Sequence, residues 1–460
     1  MASRGITVTY RLGCDSEAEA TDLARAIARE QTVEVPPGVG GDALQARVIG
    51  KVLGVAPAPR QNAGRFHVRI GYPLEATGTE LTQILNVVYG NVSLMGGVRV
   101  VDLDLSPAVL DALPGPRFGV GGIRTLVGAA TRPMVCAAIK PLGLSPAELA
   151  GLAAAFARAG VDFVKDDHGL AEQPAAPFAE RVEVVADAVA EANAATGGHA
   201  QYLPNVTGAL DTLEERLEGA VAAGLAGLLI SPGLAGMDAV RWIAEGPREL
   251  AVMAHPAFAQ TAPGRGEGIA PEVLLGTLHR VAGADMVIYP NVGGRFGWTE
   301  DVCLAINRRL RQPLGRICGR PGRTRGRPGR TRGRPGRTRG RSSRTRGRSS
   351  QLAAVQAAPA AVQAAPAAVQ ATFRRPPGHI RRALPTPAGG MKVADAADCF
   401  ARYGPDTVLL IGGSLLMQKD LEGAARRLVE AAAEAGEVGG PRSAEGAEGA
   451  EGVDSGEPSQ

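Results

Sequence analysis

Lys165, Asp166, Asp167 and His168 place an amine, two carboxylates and an imidazole in four consecutive positions, at the end of the short apolar run Phe163-Val164. If residues 161–167 form a strand, side chains alternate between its faces, so Lys165 and Asp167 project to one side and Asp166 to the other. Two oxygen donors on one side can hold a hard cation such as Mg²⁺ once CO₂ carbamylates the lysine amine, because the carbamate is a carboxylate-like ligand. In isolation the run reads as a polar strand end facing solvent. Its chemical meaning depends on the elements around it.

From residue 133 onward, short apolar runs alternate with Ala-rich helical patterns. Strands are expected at 134–140, 161–167, 201–207, 226–231, 250–255, 286–291, 384–390 and 407–413, which is the repeat of a (β/α)₈ TIM barrel. Such barrels gather their active sites at the strand C-termini, and polar or glycine residues fall at those ends here: Lys140, Lys165 to His168, Asn205, His255, Asn291 to Arg295, Gly389-Gly390 and Gly412-Gly413. The two late Gly-Gly turns suit a phosphate group, which backbone N–H donors and a helix N-terminus can hold. Residues 5–105 mix strands (6–12, 46–55, 65–70, 97–105) with helices (15–30, 79–88). This pattern predicts a small α+β domain with an antiparallel sheet, of ferredoxin-like type. The fold class is therefore α/β, with a C-terminal barrel after a small N-terminal domain.

The composition narrows the function classes. The chain has 460 residues, of which 45% are hydrophobic, enough to bury a sizeable core. No apolar stretch is long enough to span a bilayer, and Met1-Ala2-Ser3-Arg4 runs directly into strand-like residues without a signal-peptide pattern, so a cytoplasmic location and no membrane partner are expected. The five cysteines are scattered and form no CxxC, which indicates neither a disulfide framework nor a zinc site. The net charge of +4 is uneven: 18 arginines lie within 316–382, a stretch without Asp, Glu or Lys, and the remainder carries −14. That stretch repeats Gly-Arg-Pro-Gly-Arg-Thr-Arg three times from Gly319 to Arg339 and later reads Ala-Val-Gln-Ala-Ala-Pro-Ala from Ala361 to Ala367. One repeated DNA unit read in two frames encodes both heptads, which points to repeat expansion with a frame change or to an error in GC-rich DNA. An Arg-Gly arm for nucleic acid is the rival reading, but no aromatics are interleaved for base stacking and the second half carries no charge to grip phosphate. Low complexity of this kind predicts disorder, as does the acidic tail.

Five segments result: an N-terminal domain (1–115), the first part of the barrel (116–315), the low-complexity insertion (316–382), the last two strands (383–433) and the acidic tail (434–460). Outside the insertion and the tail, the chain resembles the RuBisCO large-chain superfamily, and within it the RuBisCO-like proteins that share the fold without fixing CO₂. Ala138-Ile139-Lys140-Pro141 looks like the family's first-strand motif, and Gly160-Val161-Asp162-Phe163 leading to Lys165-Asp166-Asp167 looks like its metal motif. The resemblance implies Lys140 for proton transfer, carbamylated Lys165 and Asp167 on Mg²⁺, His255 as an active-site histidine, and Gly389, Gly390, Gly412 and Gly413 for phosphate. It also implies a homodimer in which Glu30 and Asn91 act in the partner's site.

The departures matter as much. His168 stands where the family has a third carboxylate ligand, Pro256 where the carboxylase has a phosphate-binding arginine, and Trp298 where it has a mobile lysine that steadies CO₂. Arg295 is the residue that can replace a lost phosphate contact. The resulting expectation is a metal-dependent enolisation of a phosphorylated ketose or keto acid, ending in isomerisation, tautomerisation or decarboxylation. Lys140 or the Lys165 carbamate would move the proton, and Asp167 with Asp166 or His168 would complete the metal site. Carboxylation of ribulose bisphosphate and a catalytically disabled, repeat-disrupted chain are the alternatives.

Overall fold

A computed structural model describes residues 4–59, 65–314 and 380–438. Most of the Arg-rich insertion and most of the acidic tail, including Cys318, lie outside these residues.

All eight expected barrel strands are present: β5 (Met134–Ile139), β6 (Phe163–Asp166), β7 (Gln201–Leu203), β8 (Gly227–Ile230), β9 (Ala251–Ala254), β11 (Met286–Pro290), β12 (Leu384–Ala388) and β13 (Val408–Ile411). They are parallel neighbours in the order β7-β6-β5-β13-β12-β11-β9-β8. A parallel bridge between Asn205 and Leu229 joins the two ends of that order, with Leu229 N donating to Pro204 O at 2.8 Å and Val206 N to Leu229 O at 2.9 Å. Alternation decides which side chains fill the interior. Met134 and Cys136 of β5 and Phe163 of β6 join Leu203, Leu229, Met253, Met286, Ile288, Leu384, Val408 and Leu410 in the barrel's own core. Val135, Ala137, Ile139 and Val164 face the surrounding helices. Continued by two residues, the same alternation carries Lys140, Lys165 and Asp167 to the inner side at the strand C-termini and Asp166 to the outer side. The helix Gly119–Leu126 contributes Val120 and Ile123 to the interior core from the opposite end.

The N-terminal residues form β1 (Arg4–Gly13), β2 (Lys51–Pro57), β3 (Arg65–Pro73) and β4 (Val98–Leu105), antiparallel in the order β4-β1-β3-β2. Against them pack the helices Glu17–Glu30, whose cap Ser16 accepts from Glu19 N at 3.1 Å, and Leu81–Tyr89. The strand expected at 46–55 needs correction. Residues 46–48 end the short helix Asp42–Val48, and the strand begins only at Lys51, past Gly50. A fifth strand was not anticipated: the two-residue β10 (Gly268–Ile269), from the loop between β9 and β11, pairs in parallel with β4. Two residues are too few to leave a periodic signal.

The tail boundary also shifts, because the helix Leu421–Val438 runs past residue 434. The insertion boundary shifts likewise: Ile380 is buried, and the fully buried guanidinium of Arg280 binds chain on both sides of the insertion. It donates to the carbonyls of Arg309 at 2.7 Å and Gln312 at 2.6 Å before it, and of Ile380 at 2.9 Å and Arg381 at 2.7 Å after it. Cys14, Cys136, Cys303 and Cys399 are free and buried. Among the described residues no helix is long and apolar enough to cross a membrane.

Candidate active site

A cavity of ≈1020 Å³ opens at the strand C-termini and is lined by Lys140, Lys165, Asp167, His168, His255, Arg295, Gly389, Gly390, Gly412 and Gly413, among others. Six strands bring these residues together. Lys140 Nζ lies 3.6 Å from Asp167 Oδ1, and a Cβ on Gly412 would lie 3.1 Å from that same amine, a tight contact that would press on the lysine. Lys165 is almost fully buried and donates to the carbonyl of Asp166 at 2.9 Å. Burial lowers its pKa, an effect that the nearby thiol of Cys136 and the carboxylate of Asp167 partly oppose. Burial would raise the Asp167 carboxyl, but the His168 contact and the charges of Lys165 and Lys140 prevail and hold it well below the usual carboxylate range.

The two histidines sit together. His168 and His255 stack with ring centroids 4.5 Å apart and planes 3° from parallel, and His168 Nδ1 lies 3.4 Å from Asp167 Oδ2. His255 Nδ1 accepts the Ala257 N–H at 3.1 Å, which leaves the proton of a neutral ring on Nε2 as a donor. Burial, with the charge of Lys165 next, lowers the His255 pKa to about 2, so the ring stays neutral across the physiological range.

Asp166 is not brought to the cavity, and the expectation that it helps hold a metal needs correction. Its carboxylate is fully buried on the outer side of β6. There Oδ1 accepts from Tyr202 OH at 2.7 Å, and Oδ2 accepts from Asn205 N at 2.9 Å and Arg181 Nε at 3.2 Å. Burial raises its pKa against the opposing charge of Arg181. Asn205 also donates from Nδ2 to the carbonyl of His168 at 2.9 Å, tying β7 to the chain just after Asp167. Glu30 and Asn91 lie on the N-terminal unit, where Asn91 Nδ2 donates to Glu30 Oε1 at 3.1 Å; neither lines this cavity.

The opposite wall is built from turns. Gly389 and Gly390 have φ of +87° and +78°, which favours glycine at both, and a Cβ on Gly390 would also stand 2.8 Å from the Arg295 backbone nitrogen, so that position needs glycine for space as well. The Arg295 guanidinium lies over the Phe296 ring at 4.8 Å. Trp298 is nearly buried, and its carbonyl accepts from Gly293 N at 3.2 Å. Residues 256–262 form a further wall, tethered to the N-terminal sheet where Arg99 donates to Ala262 O at 2.9 Å and Glu267 O at 2.8 Å. Sequence reasoning missed Lys392, which also lines the cavity; the available signal was a lysine two residues beyond a Gly-Gly turn at a strand end.

Among the described residues no group of three His, Cys, Asp or Glu side chains is placed to hold a metal ion. Carbamylation of Lys165 would supply the missing oxygens beside Asp167 and His168, and the lowered pKa of Lys165 favours the neutral amine that adds CO₂. The resulting donor set of two oxygen groups and one imidazole fits a divalent ion.

A barrel with this cavity at its strand C-termini, preceded by a separate antiparallel sheet, defines the class, and relatives define the family. The family model for the ribulose bisphosphate carboxylase large chain, catalytic domain, matches residues 119–311. Ribulose bisphosphate carboxylase-like protein 1 of Rhodopseudomonas palustris is 34% identical over 90% of this chain and 93% of its own length. The 5-methylthioribulose-1-phosphate isomerase of Rhodospirillum rubrum is 34% identical over 90% of this chain and 92% of its own. The crystal structure of a RuBisCO-like protein from Rhodopseudomonas palustris superposes with a TM-score of 0.72 at 33% identity, covering 94% of this chain and 98% of that one. The chain belongs to the RuBisCO large-chain superfamily, with RuBisCO-like proteins among its relatives.

Proposed function

We propose that this protein enolises a phosphorylated ketose or keto acid by moving a proton at the carbon next to a carbonyl, with isomerisation, tautomerisation or decarboxylation as the outcome. The observation that carries this reading is the convergence of Lys140, Lys165, Asp167, His168, His255 and both Gly-Gly turns on one cavity. The isomerase of Rhodospirillum rubrum, named for a phosphorylated methylthio-ketose, supports the substrate class.

Lys140 reaches into the cavity beside Asp167 and is the amine that removes and returns the proton. Neutral His255 donates from Nε2 to the substrate oxygen that gains charge. Gly389, Gly390, Gly412 and Gly413 leave room for the phosphate, and Arg295 offers charge to it. Carbamylated Lys165, Asp167 and His168 would hold a divalent ion, Mg²⁺ in the family's usual chemistry, which when bound polarises the carbonyl and acidifies the neighbouring C–H. A cytoplasmic homodimer in which Glu30 and Asn91 complete the partner's cavity belongs to the same reading. Carboxylation does not, because Trp298 rather than a cation occupies its loop position and is nearly buried there. Incubation with ribulose bisphosphate and ¹⁴CO₂ is expected to give no incorporation.

The decisive test is proton exchange. A panel of phosphorylated ketoses and keto acids in D₂O, followed by NMR, is expected to show C–H to C–D exchange for at least one compound, reduced by about 10²–10⁴-fold, the range for loss of an acid–base group, in Lys140→Ala and Lys165→Ala. Exchange that survives both substitutions would overturn the reading.

A further inference from the structure

We infer that Lys392 is a substrate-binding cation that grips the anionic end of the substrate together with Arg295; this rests on reading the cavity as a site for a phosphate ester. Four basic side chains line the cavity, Lys140, Lys165, Arg295 and Lys392, against one carboxylate, Asp167. Asp167 answers the first two, lying 3.6 Å from Lys140 and next but one to Lys165 in the chain. No acidic side chain lines the wall on which Arg295 and Lys392 stand. Asp395, on the same turn as Lys392, accepts the Lys392 backbone N–H and does not line the cavity; a lining with two cations and no carboxylate favours a ligand that brings its own negative charge, and a dianionic phosphate monoester satisfies both.

The two cations are built into neighbouring turns. A Cβ on Gly389 would lie 3.9 Å from Arg295 Nε, and one on Gly390 would lie 2.8 Å from the Arg295 nitrogen, so the loop after β11 and the turn after β12 are in contact. Beyond that turn the chain is held on both sides of the lysine. Ser414 Oγ donates to the Met391 carbonyl at 2.7 Å, Met391 is buried, and Lys392 N donates to Asp395 Oδ2 at 3.0 Å. Lys392 itself stays exposed at the mouth, a flexible point charge on a fixed base, whereas the Arg295 guanidinium rests on the Phe296 ring.

Inorganic phosphate is the probe, titrated by calorimetry against the full chain at several NaCl concentrations, with Lys392→Ala, Lys392→Arg and the exposed control Lys419→Ala. Lys392→Ala is expected to weaken phosphate binding by about tenfold, as loss of one charged contact does, and to flatten the salt dependence. Lys392→Arg should stay near the wild-type affinity, and Lys419→Ala, with the same loss of charge at an exposed residue that does not line the cavity, should match it. In turnover Lys392→Ala should raise KM and leave kcat in place. Wild-type affinity in Lys392→Ala, equal weakening in Lys419→Ala, or no phosphate binding by the wild-type chain would each overturn the assignment. Phosphate binding that depends on Lys392 without proton exchange on any substrate would sink the proposed reaction and leave this assignment standing.

Discussion

The two walls of the cavity are built on opposite principles. At the β6 end, positions are set by buried charge: Asp166 is fully buried, is paired with the equally buried Arg181, and accepts from Tyr202 and Asn205 as well. At the β11 to β13 end, positions are set by missing side chains: a Cβ on Gly294 or Gly390 would collide with neighbouring backbone, one on Gly412 would crowd Lys140, and Gly389 holds a positive φ. The first design holds an amine and a carboxylate in fixed orientation, as proton transfer requires. The second leaves open space beside positive charge, which suits a phosphate group. A buried ion pair is costly to break and a glycine turn is only locally strained, so the two walls should fail differently.

The largest effect is expected from Asp166→Ala, which leaves the Arg181 guanidinium buried without its carboxylate. Urea denaturation should show a loss of about 3–5 kcal/mol, and proton exchange should fall although Asp166 does not line the cavity. A loss below 1 kcal/mol would mean that the β6 wall is not held by its buried pair.

Next in size is an effect of pH that belongs to neither wall. His279 is fully buried, its Nδ1 has no partner, and burial lowers its pKa to about 4. The folded state refuses a proton that the unfolded chain takes up near pH 6.5. This contribution to stability is therefore complete above that pH and is lost as pH falls from about 6.5 to about 4, up to about 3 kcal/mol. His279→Leu should flatten the acid limb of stability against pH, measured by denaturation from pH 7 to 4. An unchanged slope would assign the acid sensitivity to other groups, with His255 at the site the first to test.

Gly390→Ala should cost about 1–3 kcal/mol of stability, the scale for a residue forced to positive φ against neighbouring backbone, and it should raise the substrate KM by displacing Arg295. Equal changes in kcat and kcat/KM, with KM constant, would blur the distinction between the walls. The smallest effect is expected from removing 316–379 and joining Gly315 to Ile380 through a short Gly-Ser linker. Arg280 already gathers the carbonyls of Gln312 and Ile380, and the cost of closing a loop varies slowly with its length. The shortened chain should melt within a few degrees of the full one; aggregation of the shortened chain would show that the neck does not hold by itself.

Much of this was legible in the sequence because it rests on local periodicity. Eight apolar runs spaced by Ala-rich helices gave the barrel, and strand alternation alone put Lys165 and Asp167 on one face and Asp166 on the other. The separate fates of the two aspartates were implicit in a period of two; that Asp166 meets Arg181 and Tyr202 was not, since those partners come from a helix and a strand 15 and 36 residues further along the chain. The strand at β10 and the true start of β2 were missed for the opposite reason, because two residues, or a helix turn ending at a glycine, carry no usable period. What the sequence by itself determined is the order of the elements and the face on which each polar residue stands, since both follow from short-range backbone geometry. What only the tertiary structure decided is which of those faces meet. Lys140 reaches Gly412, Arg295 reaches Gly389, and Lys392 enters the same cavity through barrel closure, which brings the first strand against the last across 274 residues of chain (Met134 to Val408).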